Sequence, residues 1–147
     1  MATQRKRPGR SSGQSVESFS AFLTRRERIS GEYIQGNADS LIGISATAGP
    51  STFFPPNGAR VVGAAKVNAA NRQGAKAFAE GSTGRFEVLQ SGSSGKLGFW
   101  TGIQHADMAM KGAKKRVKMK LRITEVFRLE RSGWKLVHRH ADMGPPK

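Results

Sequence analysis

The sequence predicts an α+β fold, in which a curved antiparallel sheet wraps around helices from the N-terminal half of the chain. Apolar residues recur at helical spacing only in about the first 80 residues, and one short strand interrupts that helical part. Four long segments with strand alternation then follow one another towards the C-terminus. Consecutive strands joined by short turns pair as antiparallel neighbours, so we expect the helices to cover the concave face of that sheet.

The length of 147 residues allows one domain with a real core. Residues 1–14 are basic and almost free of apolar groups, so we expect a disordered tail there. The domain should span residues 15–143, and residues 144–147 form a short C-terminal tail. The absence of cysteine excludes disulfides and thiolate catalysis.

The chain is strongly basic, with 25 Lys and Arg against 10 Asp and Glu and a net charge of +15. Seven basic residues and no acidic residue lie between Lys111 and Arg122. We interpret this run as a solvated strand face. Nucleic-acid binding is a less favoured function, third after the two given below, because few aromatic residues accompany the run. No apolar run reaches membrane-spanning length and no signal core follows the first charges, which favours a cytoplasmic protein without a membrane partner.

Three helices are predicted in the first half. The first begins at Ser15 and ends at Gly36, because apolar residues recur every three or four positions between them. The second is short and covers residues 41–44. The third is rich in alanine and is predicted from Gly63 to Glu80.

The strands are predicted from alternation and from the turn residues that separate them. A short strand at residues 51–54 stops at two prolines. Longer strands follow at 85–90 and from residue 96 to a turn near residue 111. The segment from Val117 to Asp142 then reads as a hairpin of two strands.

The register of this hairpin decides which polar groups lie inside. If Ser132 and Gly133 form a two-residue turn, residues whose numbers sum to 265 lie opposite one another. The resulting pairs are Phe127 with His138, Glu125 with His140 and Ile123 with Asp142. All six side chains then share the apolar and therefore buried face.

Two imidazoles and two carboxylates on a buried face need an explanation, because each costs about 2–7 kcal/mol when it is buried without a partner. They either satisfy one another in a core network or line a cavity. A one-residue change of register would turn the residues of the second strand to the other face, so both interpretations depend on the turn.

Four segments stand out in the sequence, namely YIQGNAD at residues 33–39, TFFP at 52–55, RITEVFR at 122–128 and GWKLVHRHAD at 133–142. Together they resemble the nuclear transport factor 2-like superfamily, in its SnoaL-like and ketosteroid-isomerase-like branch. The segment at residues 133–142 is the most distinctive, and the resemblance covers about residues 19–142.

The resemblance implies a cone-shaped, cystatin-like α+β barrel with a pocket between sheet and helices, one small and mostly apolar ligand, and a homodimer formed through the sheet. In the isomerase branch an Asp on the short strand before the proline turn acts as the base. Phe54 corresponds to that position here, so the isomerase mechanism does not carry over directly. Tyr33 lies roughly where that branch has its oxyanion-stabilising tyrosine.

Two functions remain open. The first is an isomerase, lyase or hydrolase of general acid–base type, acting on a small apolar carbonyl or hydroxyl compound. Its candidate catalytic residues are His140, Glu125, His138 and Tyr33, and its candidate ligand-binding residues are Trp100, Phe54, Phe127, Ile123 and Asp142. The second is a ligand-binding or dimerisation module without chemistry. We expect no cofactor and no metal, although His138, His140 and Asp142 have a spacing that a metal site could use.

Overall fold

A computed structural model of the chain describes residues 16–145. It has the predicted α+β architecture, with the helices first and four long strands at the end. In chain order the elements are α1 (Phe19–Tyr33), α2 (Asp39–Gly43), β1 (Thr52–Phe54), β2 (Val61–Val62), α3 (Ala64–Ala75), β3 (Phe78–Ser94), β4 (Leu97–Met110), β5 (Val117–Glu130) and β6 (Gly133–Asp142). The predicted tail at residues 1–14 and the last two residues lie outside the described part.

The strands form one six-stranded sheet in the order β2-β1-β6-β5-β4-β3. The four long strands are antiparallel, as predicted. The sheet as a whole is mixed, because the short strand β1 runs parallel to β6, with Thr52 beside His138. The long connection between β1 and β6 contains α3 and four strands, and so it can return the chain in the same direction.

The first helix begins three residues later than predicted. Its N-cap is Ser18, whose hydroxyl accepts a hydrogen bond from the Ala21 amide at 3.1 Å. The helix ends at Tyr33, and the chain then turns through Gly36, whose φ is +97°. A β-carbon at Gly36 would lie 2.8 Å from the carbonyl oxygen of Phe78, so both the backbone angle and the space require glycine.

The third helix is shorter than predicted and ends at Ala75 instead of Glu80. Phe78 already pairs with Met110 at the start of β3, which continues to Ser94. Pairing with β4 therefore outweighs the helix propensity of the alanine-rich sequence, and it also extends the strand predicted at residues 85–90 in both directions.

The closed end of the fold is an aromatic cluster in which α1 meets the β5–β6 hairpin. The rings of Phe22 and Phe127 lie 5.0 Å apart and those of Phe19 and Trp134 lie 5.1 Å apart, both edge to face. All four residues are buried. The packing leaves no room for a ligand here, and a cavity remains at the opposite end, beside the second half of α1.

The hairpin register differs from the predicted one. The turn residues are Arg131 and Ser132, so Glu130 lies opposite Gly133. Phe127 then lies opposite Leu136, but Val126 lies opposite His138, which leaves Val137 as one extra residue in β6. This β-bulge shifts the pairing by one position for the rest of the strand. The predicted pairs of Phe127 with His138, Glu125 with His140 and Ile123 with Asp142 are therefore wrong.

Candidate functional site

The bulge exchanges the residues that β6 presents to the interior. Beyond Val137, Arg139 lies beside Glu125 and Ala141 beside Ile123. The partners of His138, His140 and Asp142 are Val126, Thr124 and Arg122, which belong to the outer face of the sheet. The structure therefore does not bring either histidine to Glu125.

Glu125 is fully buried and accepts four hydrogen bonds. Arg26 of α1 donates from Nε to Oε1 at 3.0 Å and from Nη2 to Oε2 at 2.8 Å. Trp100 donates from its indole nitrogen to Oε1 at 2.7 Å, and Arg139 from Nη1 to Oε2 at 2.8 Å. Both oxygens are thus saturated, and the carboxylate joins α1, β4, β5 and β6.

These contacts fix the charge state of Glu125. Burial by itself raises the pKa of the carboxyl group, but the charges of Arg26 and Arg139, together with the hydrogen bonds, lower the pKa to about 2. A carboxylate with this pKa and no free lone pair does not take up a proton at neutral pH. Glu125 therefore acts as a structural anion and a positioning group, and not as a general base.

Arg139 connects this ion pair to a second polar group. Its Nη2 donates to the side-chain oxygen of Gln104 at 2.7 Å, and the amide nitrogen of Gln104 donates to the hydroxyl of Ser30 at 3.0 Å. Burial lowers the pKa of Arg139, yet an arginine starts from so high a value that it stays charged at neutral pH. The network therefore presents two permanent positive charges beside the middle of α1.

A cavity of about 510 Å³ adjoins this network. Its walls are mostly apolar and include Phe53, Pro55, Met108, Met119 and Leu121. The polar groups in the lining are Arg26, Ser30, Tyr33, Asn57, Asn71, Gln73, Gln104 and Arg139. Among the described residues that line the cavity there is no Asp, Glu or His. A cavity of this size, whose wall is mostly apolar and carries some polar side chains, is typical of a small-molecule site.

Tyr33 is the one predicted site residue that lines the cavity. Burial raises the pKa of its hydroxyl, and the nearby charges of Arg139 and Arg26 oppose that rise without reversing it. The hydroxyl is therefore protonated at neutral pH and can donate a hydrogen bond to a bound molecule.

His138 lies on the outer face, where its Nδ1 is 2.7 Å from the hydroxyl oxygen of Thr52. Burial and the neighbouring His140 both lower its pKa. Phe54 contacts both imidazoles edge to face, at ring distances of 5.1 and 5.6 Å. The residue of β1 that lines the cavity is Phe53, so that strand presents no base to the interior.

The other predicted ligand-binding residues are placed elsewhere. Trp100 is buried, stacks on Phe86 at 4.3 Å and binds Glu125. Phe127 belongs to the aromatic cluster and Ile123 to the core. The side chain of Asp142 pairs with that of Arg122 on the outer face, where His140, Ile123 and Asp142 also border a shallow depression.

Sequence reasoning missed Arg26 and Arg139, although α1 carries a signal for the first. Arg26 lies four residues after Phe22 and three before Ile29, which places it on the apolar stripe of the helix. A charged residue at such a position needs an internal partner, and Glu125 on a buried strand face needs one too. Arg139 had no comparable signal, because its orientation depends on the bulge.

The basic run is divided between two environments. Lys118 and Lys120 border an open groove on the outer face together with Arg85 and His105. Arg116 binds Asp107 and the carbonyl of Gly81.

No cluster of three or more potential metal-binding residues is found between residues 16 and 145. In the same part of the chain, no helix combines the length and the apolar character needed to cross a membrane.

The sequence profile of the SnoaL-like domain matches residues 32–144. A proposed dehydratase of the nuclear transport factor 2-like family from Streptomyces avermitilis superimposes with a TM-score of 0.70 at 18% identity, over 85% of this chain and 94% of that one. A nuclear transport factor 2-like superfamily protein from Salmonella enterica gives 0.69 at 15% identity, over 88% and 91%.

A proposed calcium/calmodulin-dependent protein kinase II association domain from Xanthomonas campestris gives a TM-score of 0.69 at 11% identity, over 88% of this chain and 87% of that one. At these identities the likeness concerns the fold alone. No match was found among curated proteins.

Proposed function

The chain belongs to the family of SnoaL-like domains, and on that premise we propose that it binds a small, mostly apolar molecule in the cavity beside Tyr33 without transforming it. This membership confirms the predicted nuclear transport factor 2-like superfamily and its SnoaL-like branch, a family of small-molecule-binding domains, while the likeness to ketosteroid isomerases stays a prediction. The proposal selects the second of the two functions left open by the sequence.

One observation carries this proposal: the described lining of the cavity is mostly apolar and contains no carboxylate or imidazole. General acid–base catalysis needs a group that gains or loses a proton near the working pH and lies within reach of the substrate. Glu125 is saturated by four donors, and His138 and His140 lie on the outer face. The cavity thus has the volume and polarity to hold a ligand, and lacks an evident base.

The test fills the cavity by placing a large side chain at a position of α3 that lines it. Ala70 lines the cavity, while its neighbour Ala69 is exposed on the same helix. We expect Ala70→Phe to abolish binding of a small-molecule ligand and Ala69→Phe to leave it unchanged. Native mass spectrometry of the purified protein detects a copurified ligand, and a library of apolar compounds screened by NMR supplies probes if none copurifies. Equal binding by both variants would place the ligand outside the cavity and refute the proposal.

An enzyme remains the second candidate, favoured by the Tyr33 hydroxyl, which makes no hydrogen bond to any residue between 16 and 145 and stays protonated. Such a group can stabilise a developing oxyanion. Proton removal next to a bound carbonyl group would incorporate deuterium from D₂O, which NMR of the ligand detects. Exchange that depends on the protein and is lost in Tyr33→Phe would establish catalysis. Without exchange, binding alone is supported.

We also propose that the chain forms a homodimer through the outer face of the sheet. Leu89 and Leu97 are 66% and 56% exposed, and Leu89 borders the outer depression that contains His140. A contiguous apolar patch on a sheet face is more typical of an interface than of a solvated surface. Sedimentation velocity should show a dimer that Leu89→Asp dissociates, while a monomeric wild-type protein would contradict the dimer.

A further inference from the structure

The ion network at the cavity carries one more positive than negative charge. Arg26 and Arg139 contribute two positive charges and Glu125 one negative charge, which leaves a net charge of +1. In the described part of the chain, neither arginine contacts another carboxylate. An uncompensated charge in a buried site is strongly unfavourable, so the site favours an additional anion.

Unused hydrogen-bond donors accompany this excess charge. Nη1 of Arg26 is buried and has no hydrogen-bond partner among residues 16–145. The Arg26 side chain is 3% exposed and that of Arg139 is 14% exposed. A guanidinium has five N–H donors, and each of the two uses only two of them in side-chain hydrogen bonds. Arg139 thus offers N–H groups at the cavity wall, and the unpartnered Nη1 belongs to Arg26, which lines the same cavity.

We infer that the ligand of this cavity is an apolar monocarboxylate, whose carboxylate binds beside Arg139 and Arg26 and whose hydrocarbon part packs against Phe53, Met108 and Met119. A single negative charge balances the net +1 of the network, and a planar carboxylate matches the planar donor groups of arginine. The inference deepens the proposed function and rests on it, because it specifies the chemical class of the ligand in the same cavity.

The charge difference can be tested with pairs of ligands that share one skeleton. We would titrate monocarboxylates of six to ten carbon atoms, aliphatic and aromatic, and the corresponding primary alcohols, into the full-length protein at pH 7 in a buffer without halide. Isothermal calorimetry or ligand-observed NMR gives each dissociation constant. Because hydrogen bonds to charged groups are about twice as strong as neutral ones, each acid should bind about ten- to a hundredfold more tightly than its alcohol.

The variants assign this preference to the cavity. Arg139→Gln removes the excess charge and leaves the bidentate contact of Arg26 with Glu125, so the acid and its alcohol should then bind about equally. Arg139→Lys keeps the charge and should keep the preference. Arg122→Gln is the matched control, because it makes the same substitution and the same change in net charge at an exposed side chain of the outer face.

The outcomes separate the inference from the proposed function. Alcohols that bind as tightly as acids would overturn the inference and leave a small-molecule site standing. If neither acids nor alcohols bind, the inference fails, and the comparison of Ala70→Phe with Ala69→Phe decides the proposed function separately. Equal loss of the preference in Arg122→Gln and Arg139→Gln would show a general effect of net charge and would also overturn the inference. If Arg139→Gln does not fold, the wild-type comparison of acids with alcohols still decides the question.

Discussion

Replacing Glu125 with glutamine should destabilise the protein more than any other single change of charge in the sheet. Glu125 is fully buried and compensates two arginines, Arg26 and Arg139. Glutamine keeps the shape but removes the charge, so both guanidinium groups remain buried without a counter-ion. Loss of one partner from a buried ion pair costs about 3–5 kcal/mol.

The lowered pKa of Glu125 gives a second magnitude for the same contacts. A shift from the ordinary 4.5 to about 2 means that the folded protein prefers the ionised carboxylate by about 3 kcal/mol. Both figures agree in size. For a domain of this length they correspond to a fall in melting temperature of about 10–20 °C.

Urea denaturation at pH 7, followed by far-UV circular dichroism, measures the change in the free energy of unfolding. Asp142→Asn is the matched control, since Asp142 also accepts a bidentate contact from an arginine but lies on the exposed outer face. It should change stability very little. If Glu125→Gln were no more destabilising than Asp142→Asn, the ion network would not hold α1 to the sheet, contrary to what its contacts indicate.

Three further predictions concern acid unfolding, the pKa of His138 and two glycines. Because the folded-state pKa of Glu125 is lowered, its stabilisation is complete above about pH 4.5 and is lost as the pH falls towards 2, so acid unfolding of wild type should contain a component that is missing in Glu125→Gln. NMR titration should give His138 a pKa below its ordinary 6.5, since burial and His140 disfavour the protonated form. The stability that the neutral His138 contributes is therefore present above pH 6.5 and decreases as the pH falls through that value. Gly102→Ala should be clearly destabilising in thermal unfolding, because its β-carbon would overlap the carbonyl oxygen of Glu87. Gly31→Ala, in α1 with open space around it, should instead stabilise by about 0.5–1 kcal/mol.

The fold could be predicted because periodic patterns survive in most elements. The alternation in β5 correctly placed Ile123, Glu125 and Phe127 on the buried face. The boundaries were less accurate where a tertiary contact decided them, as at Phe78, which pairs with Met110 and ends the alanine-rich helix. The parallel pairing of β1 with β6 has no local signal in either strand.

The site could be predicted only in part, because one extra residue in β6 changes which side chains of that strand face the interior. An extra residue at Val137 leaves Leu136 facing the core and turns Arg139 inward, while both histidines of the strand turn outward. Neither alternation nor the turn sequence indicates a bulge at that point. The requirement that Glu125 find a partner was correctly derived, but its partners proved to be arginines.

The most direct test of the account is a methionine methyl NMR titration, because Met108 and Met119 line the cavity. Met143 is 62% exposed near the C-terminus and serves as an internal control. Titration with an apolar monocarboxylate should shift the methyl signals of Met108 and Met119 saturably and leave that of Met143 in place. Saturable shifts of the His138 and His140 imidazole signals, with Met108 and Met119 unchanged, would contradict the account and return the site to the outer face of the hairpin.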